Sequence, residues 1–149
     1  MKIDKNALKK VMISNYENII AELKEELATK KGSSDLDEND TLDPEDYSTQ
    51  TVSNVMVDLL QEQVAKTKKD LERIQQIDFS PKEEAMVGAI VTTDMFNFFL
   101  GVATVPFLYE HKQIVGVSVS APIFVNIKGK KVGDTFTFSG HLYTIHSIQ

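Results

Sequence analysis

The chain has 149 residues, of which 42% are hydrophobic and 26% charged, the composition of a soluble globular protein with one or two small domains. It contains no cysteine, which excludes disulfides, thiolate metal sites and a cysteine nucleophile. The net charge of −6 argues against direct binding to duplex DNA, because the phosphate contacts that dominate such binding need a basic surface.

No stretch of the sequence approaches the roughly 18 consecutive apolar residues of a membrane-spanning helix. The amino-terminal residues form a polar amphipathic pattern and lack the apolar core of a signal peptide. We therefore expect a cytoplasmic protein without a membrane partner. The pattern leaves the oligomeric state open.

The first predicted element is a long amphipathic helix from Asp4 to Lys31. Its apolar residues recur every three or four positions and so share one helical face: Leu8, Met12, Tyr16, Ile19, Leu23 and Leu27. Asp4 is a suitable N-cap, and Gly32 is a suitable residue to end the helix. At 1.5 Å per residue, such a helix is roughly 40 Å long.

An acidic stretch, residues 32–50, follows this helix. It holds seven carboxylates and no Lys or Arg, and therefore accounts for more than the whole net charge. Two pairs of acids stand three residues apart, Asp35 with Glu38 and Asp40 with Asp43. Oxygen ligands without Cys or His suit Mg²⁺, which usually keeps several waters. The stretch either provides solubility alone or contributes to a weak Mg²⁺ site that another active site completes.

A second long helix is predicted from about Thr51 to Ile77. Its stripe runs through Val52, Met56, Leu59, Gln63, Lys66 or Thr67, Leu71, Ile74 and Ile77. Asp43-Pro44 also has the pattern of a helix start, which leaves the first residue open. Two helices of similar length around one bend predict an antiparallel coiled-coil hairpin over residues 1–78, with the bend centred near Asp40 and Thr41.

The composition changes after Asp78-Phe79-Ser80-Pro81, which predicts a domain boundary and a second domain at 79–149. Strands are predicted at 87–93, 101–109, 113–119, 135–138 and 142–148, with a short helix over 122–128. These elements indicate a small antiparallel sheet covered on one side. The whole chain is thus predicted to have an α+β fold.

The remaining residues give little support for catalysis. No Ser belongs to a recognisable hydrolase motif, and Gly129 to Asp134 lacks the spacing of a phosphate-binding loop, so we expect a turn that enters a strand. Phe96, Phe98 and Phe99 either form an exposed apolar surface or belong to the core, and we expect at least two of them in the core.

Two motifs in the second domain carry a family resemblance. Ala121-Pro122-Ile123 followed by Gly129-Lys130-Lys131-Val132-Gly133-Asp134 resembles the Ser-Pro-Ile and Gly-Lys-Lys-x-Gly-Asp motifs of the Gre family of bacterial transcript cleavage factors, at the same interval. Ala121 replaces the serine of the family. The strand Leu142-Tyr143-Thr144-Ile145 is similar to the usual ending of the family.

The acidic stretch resembles the tip motif of the same family in two competing registers. Asp35-Leu36-Asp37-Glu38-Asn39 is similar to Asp-Leu-Arg-Glu-Asn, with Asp37 in place of the basic residue. The alternative register gives the acidic roles to Asp40 and Asp43, which agrees better with the centre of the predicted hairpin, although Pro44 then falls inside the motif.

The resemblance implies a coiled coil followed by an FKBP-like domain, and an accessory factor rather than an enzyme. Such a protein binds RNA polymerase through the FKBP-like domain and inserts the coiled-coil tip into the secondary channel. There Asp35, Glu38, Asp40 and Asp43, in one register or the other, would help to hold the Mg²⁺ with which the polymerase cleaves backtracked RNA. The alternatives are a channel competitor that does not promote cleavage, and a chaperone-like coiled-coil protein unrelated to polymerase.

Overall fold

The structure, a computed structural model, describes the backbone of residues 2–34 and 44–149, with side chains except at 31–34, 44–51 and 53. Two compact units are present, one formed by Met1–Met12 with Arg73–Gln149 and the other by Ile13–Glu72. We call them the sheet unit and the helical unit. Because both long helices contribute residues to both units, the ends of these helices belong with the sheet.

The two long helices are α1, Lys5–Ser34, and α2, Pro44–Gln76. Asp4 caps α1 as predicted, since its Oδ1 accepts the N–H groups of Asn6 at 3.0 Å and Ala7 at 3.2 Å. The prediction that Gly32 ends α1 is wrong, because a single glycine costs a helix only about 1 kcal/mol. In the described part of the chain, no helix is long and apolar enough to cross a membrane.

Tyr16 belongs to the buried stripe of α1, as predicted, but other buried positions of the helical unit lie one residue after the predicted ones. Tyr16 and Ile20 are buried on α1, and Leu60 and Val64 are buried on α2. The predicted members Ile19, Val52, Met56 and Leu59 are exposed. The pairs Ile19-Ile20 and Leu59-Leu60 each offer two apolar side chains on adjacent helical positions, so periodicity alone does not choose between them.

The sheet unit contains one six-stranded sheet in the described part of the chain, with the order β3-β4-β2-β1-β6-β5. Its strands are β1 Ile90–Thr93, β2 Asn97–Gly101, β3 Phe107–Tyr109, β4 Lys112–Ser118, β5 Thr135–Phe138 and β6 His141–Ile148. The short helix α3, Pro122–Ile127, lies between β4 and β5 in sequence, as predicted.

The prediction of an antiparallel sheet is wrong at one pair, because β4 runs parallel to β2. The predicted strand at 101–109 is also wrong: it combines the end of β2, a connection and β3. Thr104 in this connection is held along β4, since its Oγ1 accepts the N–H of Gly116 at 2.8 Å. The chain thereby places β3 outside β4, and β4 fills the position between β3 and β2.

Both faces of the sheet are covered, which corrects the prediction of cover on one side. On one face Phe124 and Ile127 of α3 pack in a core with Ala85, Ala89, Val91, Phe98, Leu100, Val117, Phe136, Tyr143 and Ile145. On the other face Phe79 stacks on Phe99 at 5.0 Å between ring centroids. Phe98 and Phe99 are therefore core residues, as predicted, and Phe96 is partly exposed.

Candidate functional site

The acids of the predicted tip lie outside the described residues. Asp35, Glu38, Asp40 and Asp43 fall between Ser34, the last residue of α1, and Pro44, the first of α2. Both tip registers therefore stay predictions. Among the residues that the structure does describe, no three His, Asp or Glu side chains are close enough to hold a metal ion.

The first motif of the sheet unit forms the start of α3. Ala121 occupies the N-cap with an extended backbone, φ −72° and ψ 141°, and Pro122 begins the first turn. Alanine has no hydroxyl to cap the helix, and the preceding turn is instead held by Ser118, whose carbonyl accepts the N–H of Ala121 at 3.0 Å. Proline at this position fixes a helical φ without losing a hydrogen bond. The motif thus sets where α3 begins.

The second motif forms the turn that leads into β5, as predicted. Asp134 closes it, since its Oδ2 accepts the N–H of Lys131 at 2.8 Å. Gly133 has a φ of +89°, which side chains rarely adopt, and its N–H donates to the carbonyl of Ile145 at 2.9 Å. The motif residues therefore shape the backbone between α3 and the sheet.

We call residues 121–134 the α3-turn surface. It carries two exposed branched apolar side chains, Val125 on α3 and Val132 in the turn. Asn126 fixes α3 to the sheet, because its Nδ2 donates to the carbonyl of Thr137 at 3.1 Å. Exposed apolar side chains on a rigid support are suited to contact with a protein partner.

A second candidate site is a groove of about 750 Å³ in the sheet unit, formed by the start of α1, residues 77–82 and the end of β6. Its lining includes four lysines and two aspartates: Lys2, Lys5, Lys9, Lys82, Asp4 and Asp78. We call it the basic groove, because its lining carries a net positive charge in a chain whose net charge is −6.

Lys5 is the most buried of these lysines, with 8% of its surface exposed. Its Nζ donates to the main-chain oxygens of Ser80 at 2.8 Å and Gln149 at 3.0 Å. Burial, together with repulsion from Lys82 and against the attraction of Asp78, lowers the pKa of Lys5 to about 8. Lys5 therefore joins three segments of the sheet unit, namely the start of α1, the residues after α2 and the residue after β6. Burial disfavours the charged form of this lysine.

The other charged groups of the groove have nearby partners. Lys82 contacts Asp78 at 2.9 Å, and this bond, with two from Ser80, holds the pKa of Asp78 well below its usual range. Lys9 donates to the carbonyl of Gln75 at 3.3 Å and lies 5.3 Å from the ring centroid of Phe79. Carbonyl oxygens at the end of a helix are favourable partners for a cation.

The basic groove was not predicted from the sequence. One signal was present, because Lys5 lies three and seven residues before Leu8 and Met12 and so belongs to their apolar stripe. A lysine in such a stripe needs acceptors from elsewhere in the fold, here the main-chain oxygens of Ser80 after α2 and Gln149 after β6. No local pattern identifies these acceptors.

The structure is similar to the crystal structure of GreA factor homolog 1 of Thermus thermophilus, with a TM-score of 0.35 and 12% identity, over 92% of this chain and 94% of that chain. A structure of the transcription factor Gfh1 is similar with a TM-score of 0.35 and 15% identity, over 95% of this chain and 91% of that chain. No family model matches the chain. No curated protein matches it.

Proposed function

We propose that this chain is a transcription elongation factor that binds RNA polymerase through the sheet unit. The observation that carries the proposal is the α3-turn surface, where residues that resemble the Gre motifs form one helix and the turn into β5. The exposed Val125 and Val132 supply the apolar contacts that a docking surface needs. In the sequence, the strands of this unit follow two helices of 30 and 33 residues.

In this proposal α1 and α2 pair as an antiparallel coiled coil. One hydrogen bond and one electrostatic interaction support the pairing. The ammonium of Lys9 reaches the carbonyl of Gln75 in the sheet unit. In the helical unit, burial and then the charge of Asp70 raise the pKa of Tyr16 to about 12. Residues early in α1 thus meet residues late in α2, the order expected of antiparallel helices.

The acidic stretch would then occupy the bend between the two helices and act at the active site of the polymerase. Carboxylates of Asp35, Glu38, Asp40 and Asp43 are the ligand type that Mg²⁺ takes, so the donor set fits the ion. Mg²⁺ held jointly with the polymerase would supply an activated water for hydrolysis of the RNA backbone. The chain would be an accessory factor, and the polymerase would remain the enzyme.

Capture from a cell extract, followed by binding to purified RNA polymerase, tests the partner. We expect polymerase subunits to dominate the captured proteins and the purified enzyme to bind directly. Capture of unfolded polypeptides without polymerase would instead support the chaperone-like alternative. The exposed Phe96 is compatible with that alternative, although Phe98 and Phe99 are buried and inaccessible to a peptide.

Stalled transcription complexes test the role of the acids. We expect the variant with Asp35→Asn, Glu38→Gln, Asp40→Asn and Asp43→Asn to bind polymerase but to lose stimulation of RNA cleavage. A control that removes the same charge from α1, Glu17→Gln with Glu22→Gln, Glu25→Gln and Glu26→Gln, should retain it. Changing Asp35 and Glu38 alone, or Asp40 and Asp43 alone, decides the register. Binding of the wild type without any stimulation would favour the channel competitor.

A further inference from the structure

We propose that the basic groove binds a small phosphate-bearing molecule. Its volume of about 750 Å³ lies within the range of small-molecule sites, which is roughly 300–1,000 Å³. All of its lining residues belong to the sheet unit. The site is separate from the acidic stretch and from the α3-turn surface, and the inference goes beyond polymerase binding.

The charges of the groove favour an anion. Asp78 is engaged by Lys82, and Asp4 is engaged by the first N–H groups of α1. The partners of Lys9 are the carbonyl of Gln75 and the ring of Phe79, so its positive charge is not balanced by a carboxylate contact in the described chain.

Free donors remain for a ligand. An ammonium has three N–H donors, and Lys5 uses two of them on Ser80 and Gln149. Lys2 lines the groove, is exposed, and makes no hydrogen bond or ion pair with any other described residue. A phosphate has several acceptor oxygens and can take donors from more than one lysine at the same time. A bound anion would also relieve the disfavoured charge of Lys5.

The walls and the surrounding charge select the size of the ligand. Ile3, Ile77, Phe79 and Ile148 line the groove beside the lysines and provide apolar contact for an organic body. A long polyanion such as RNA would extend beyond the groove and meet a protein of net charge −6. A small molecule in the groove is affected mainly by the charges within about one Debye length, roughly 10 Å, where the lining has more lysines than aspartates.

Titration of the full chain at low salt, followed by amide NMR, tests the proposal with inorganic pyrophosphate, adenosine 5′-monophosphate and adenosine as probes. We expect the two phosphates to shift amides at 2–9, 77–82 and 148–149. The monophosphate should also bind more tightly than inorganic phosphate, titrated in the same way, because the apolar walls contact the organic body, whereas adenosine should not bind. Binding of a phosphate in the groove should also raise the melting temperature of the protein, because the ligand stabilises the folded state.

Paired variants distinguish the groove from general attraction by lysines. Lys2→Gln with Lys9→Gln should weaken binding by about tenfold or more, since a hydrogen bond to a charged group stabilises a complex by at least that factor in favourable cases. Lys24→Gln with Lys68→Gln removes the same charge from exposed positions on α1 and α2 and should leave binding unchanged. Amide spectra of the free variants verify that each is folded.

Three results would overturn the proposal. The first is the absence of groove shifts in wild-type protein at millimolar probe, and the second is equal weakening by the two lysine pairs. The third is a short RNA that binds more tightly than any small phosphate and displaces pyrophosphate from the groove, which would assign the lysines to a nucleic acid. Because none of these measurements uses polymerase, their failure is distinct from a failure of the proposed function.

Discussion

The sheet unit and the helical unit bury their apolar residues in different ways. In β2, Phe98, Phe99 and Leu100 are consecutive and all buried, because α3 covers one face of the sheet and Phe79 stacks on the other. In the helical unit a buried residue can have an exposed neighbour in the sequence: Leu60 is 5% exposed, whereas Leu59 is 47% exposed. A single truncation should therefore cost most in the sheet, where a side chain is enclosed on all sides.

The largest expected effect is that of Phe99→Ala. Phe99 is fully buried and stacked on Phe79, so its truncation leaves a cavity and should cost about 3–5 kcal/mol of the free energy of unfolding. Denaturant unfolding followed by circular dichroism measures the loss. Phe96→Ala, three residues away on a partly exposed side chain, is the control and should cost about 1 kcal/mol or less. Equal costs would contradict the two-sided core.

Gly88→Ala should have an effect of the same order as a truncation in the helical unit. A Cβ at Gly88 would collide with the carbonyl oxygen of Asp78, directly after α2, and overpacking of this kind costs about 1–3 kcal/mol. Gly140→Ala is the matched control, because Gly140 shares a positive φ, 78° against 91°, but has no atom within 4 Å of the added carbon. Thermal unfolding should therefore show a clearly larger loss at Gly88. A loss no greater than that of the control would mean that Asp78 does not approach the sheet.

In the helical unit, the two adjacent leucines of α2 test which face is buried. Leu60→Ala should cost about 2–3 kcal/mol, and Leu59→Ala should cost less than about 1 kcal/mol, since only the first removes a buried side chain. The two variants have the same composition, so helix propensity cancels. A larger cost at Leu59 would restore the stripe predicted from periodicity.

The smallest expected effect is that of pH. The free energy of unfolding should first rise and then fall as the pH increases. The pKa of Lys5 is about 8 in the folded chain against 10.5 for an ordinary lysine, so the unfolded chain binds more protons in that interval and stability rises with pH. Tyr16 has a pKa of about 12 against 10, so the folded chain binds more protons there and stability falls above pH 10.

Unfolding curves between pH 7 and 11.5 should therefore show a maximum near pH 10, with a change of about 1–2 kcal/mol on each side. Lys5→Met should remove the rise, and Tyr16→Phe should remove the fall. If the rise in stability persists in Lys5→Met, another group of the chain causes it.

The sequence was sufficient for features that local chemistry determines. Residue type and spacing predict the cap at Asp4, the two long helices, the helix α3 that begins at Pro122 and the turn that Asp134 closes. It was insufficient where two local solutions are equivalent. Adjacent apolar residues such as Ile19 and Ile20 allow two helical phases, and only packing against a partner selects one.

Long-range contacts explain the other differences. The parallel pairing of β2 with β4 depends on where the connection through Thr104 passes, which no local pattern encodes. The basic groove likewise joins residues 2–9 to residues 77–82 and 148–149, and its buried Lys5 was only a lysine in an apolar stripe. The acids at 35, 38, 40 and 43 were proposed from composition and resemblance and stay predictions.

Direct binding to purified RNA polymerase, measured by biolayer interferometry, tests the central claim most directly. Val125 on the α3-turn surface and Leu108 on β3 have the same exposure, 74%, which makes them a matched pair. We expect the wild type and Leu108→Asp to bind equally and Val125→Asp to weaken binding by about tenfold or more, because a carboxylate without a partner is costly to bury in an interface. A folded wild type that does not bind polymerase would contradict the proposed function.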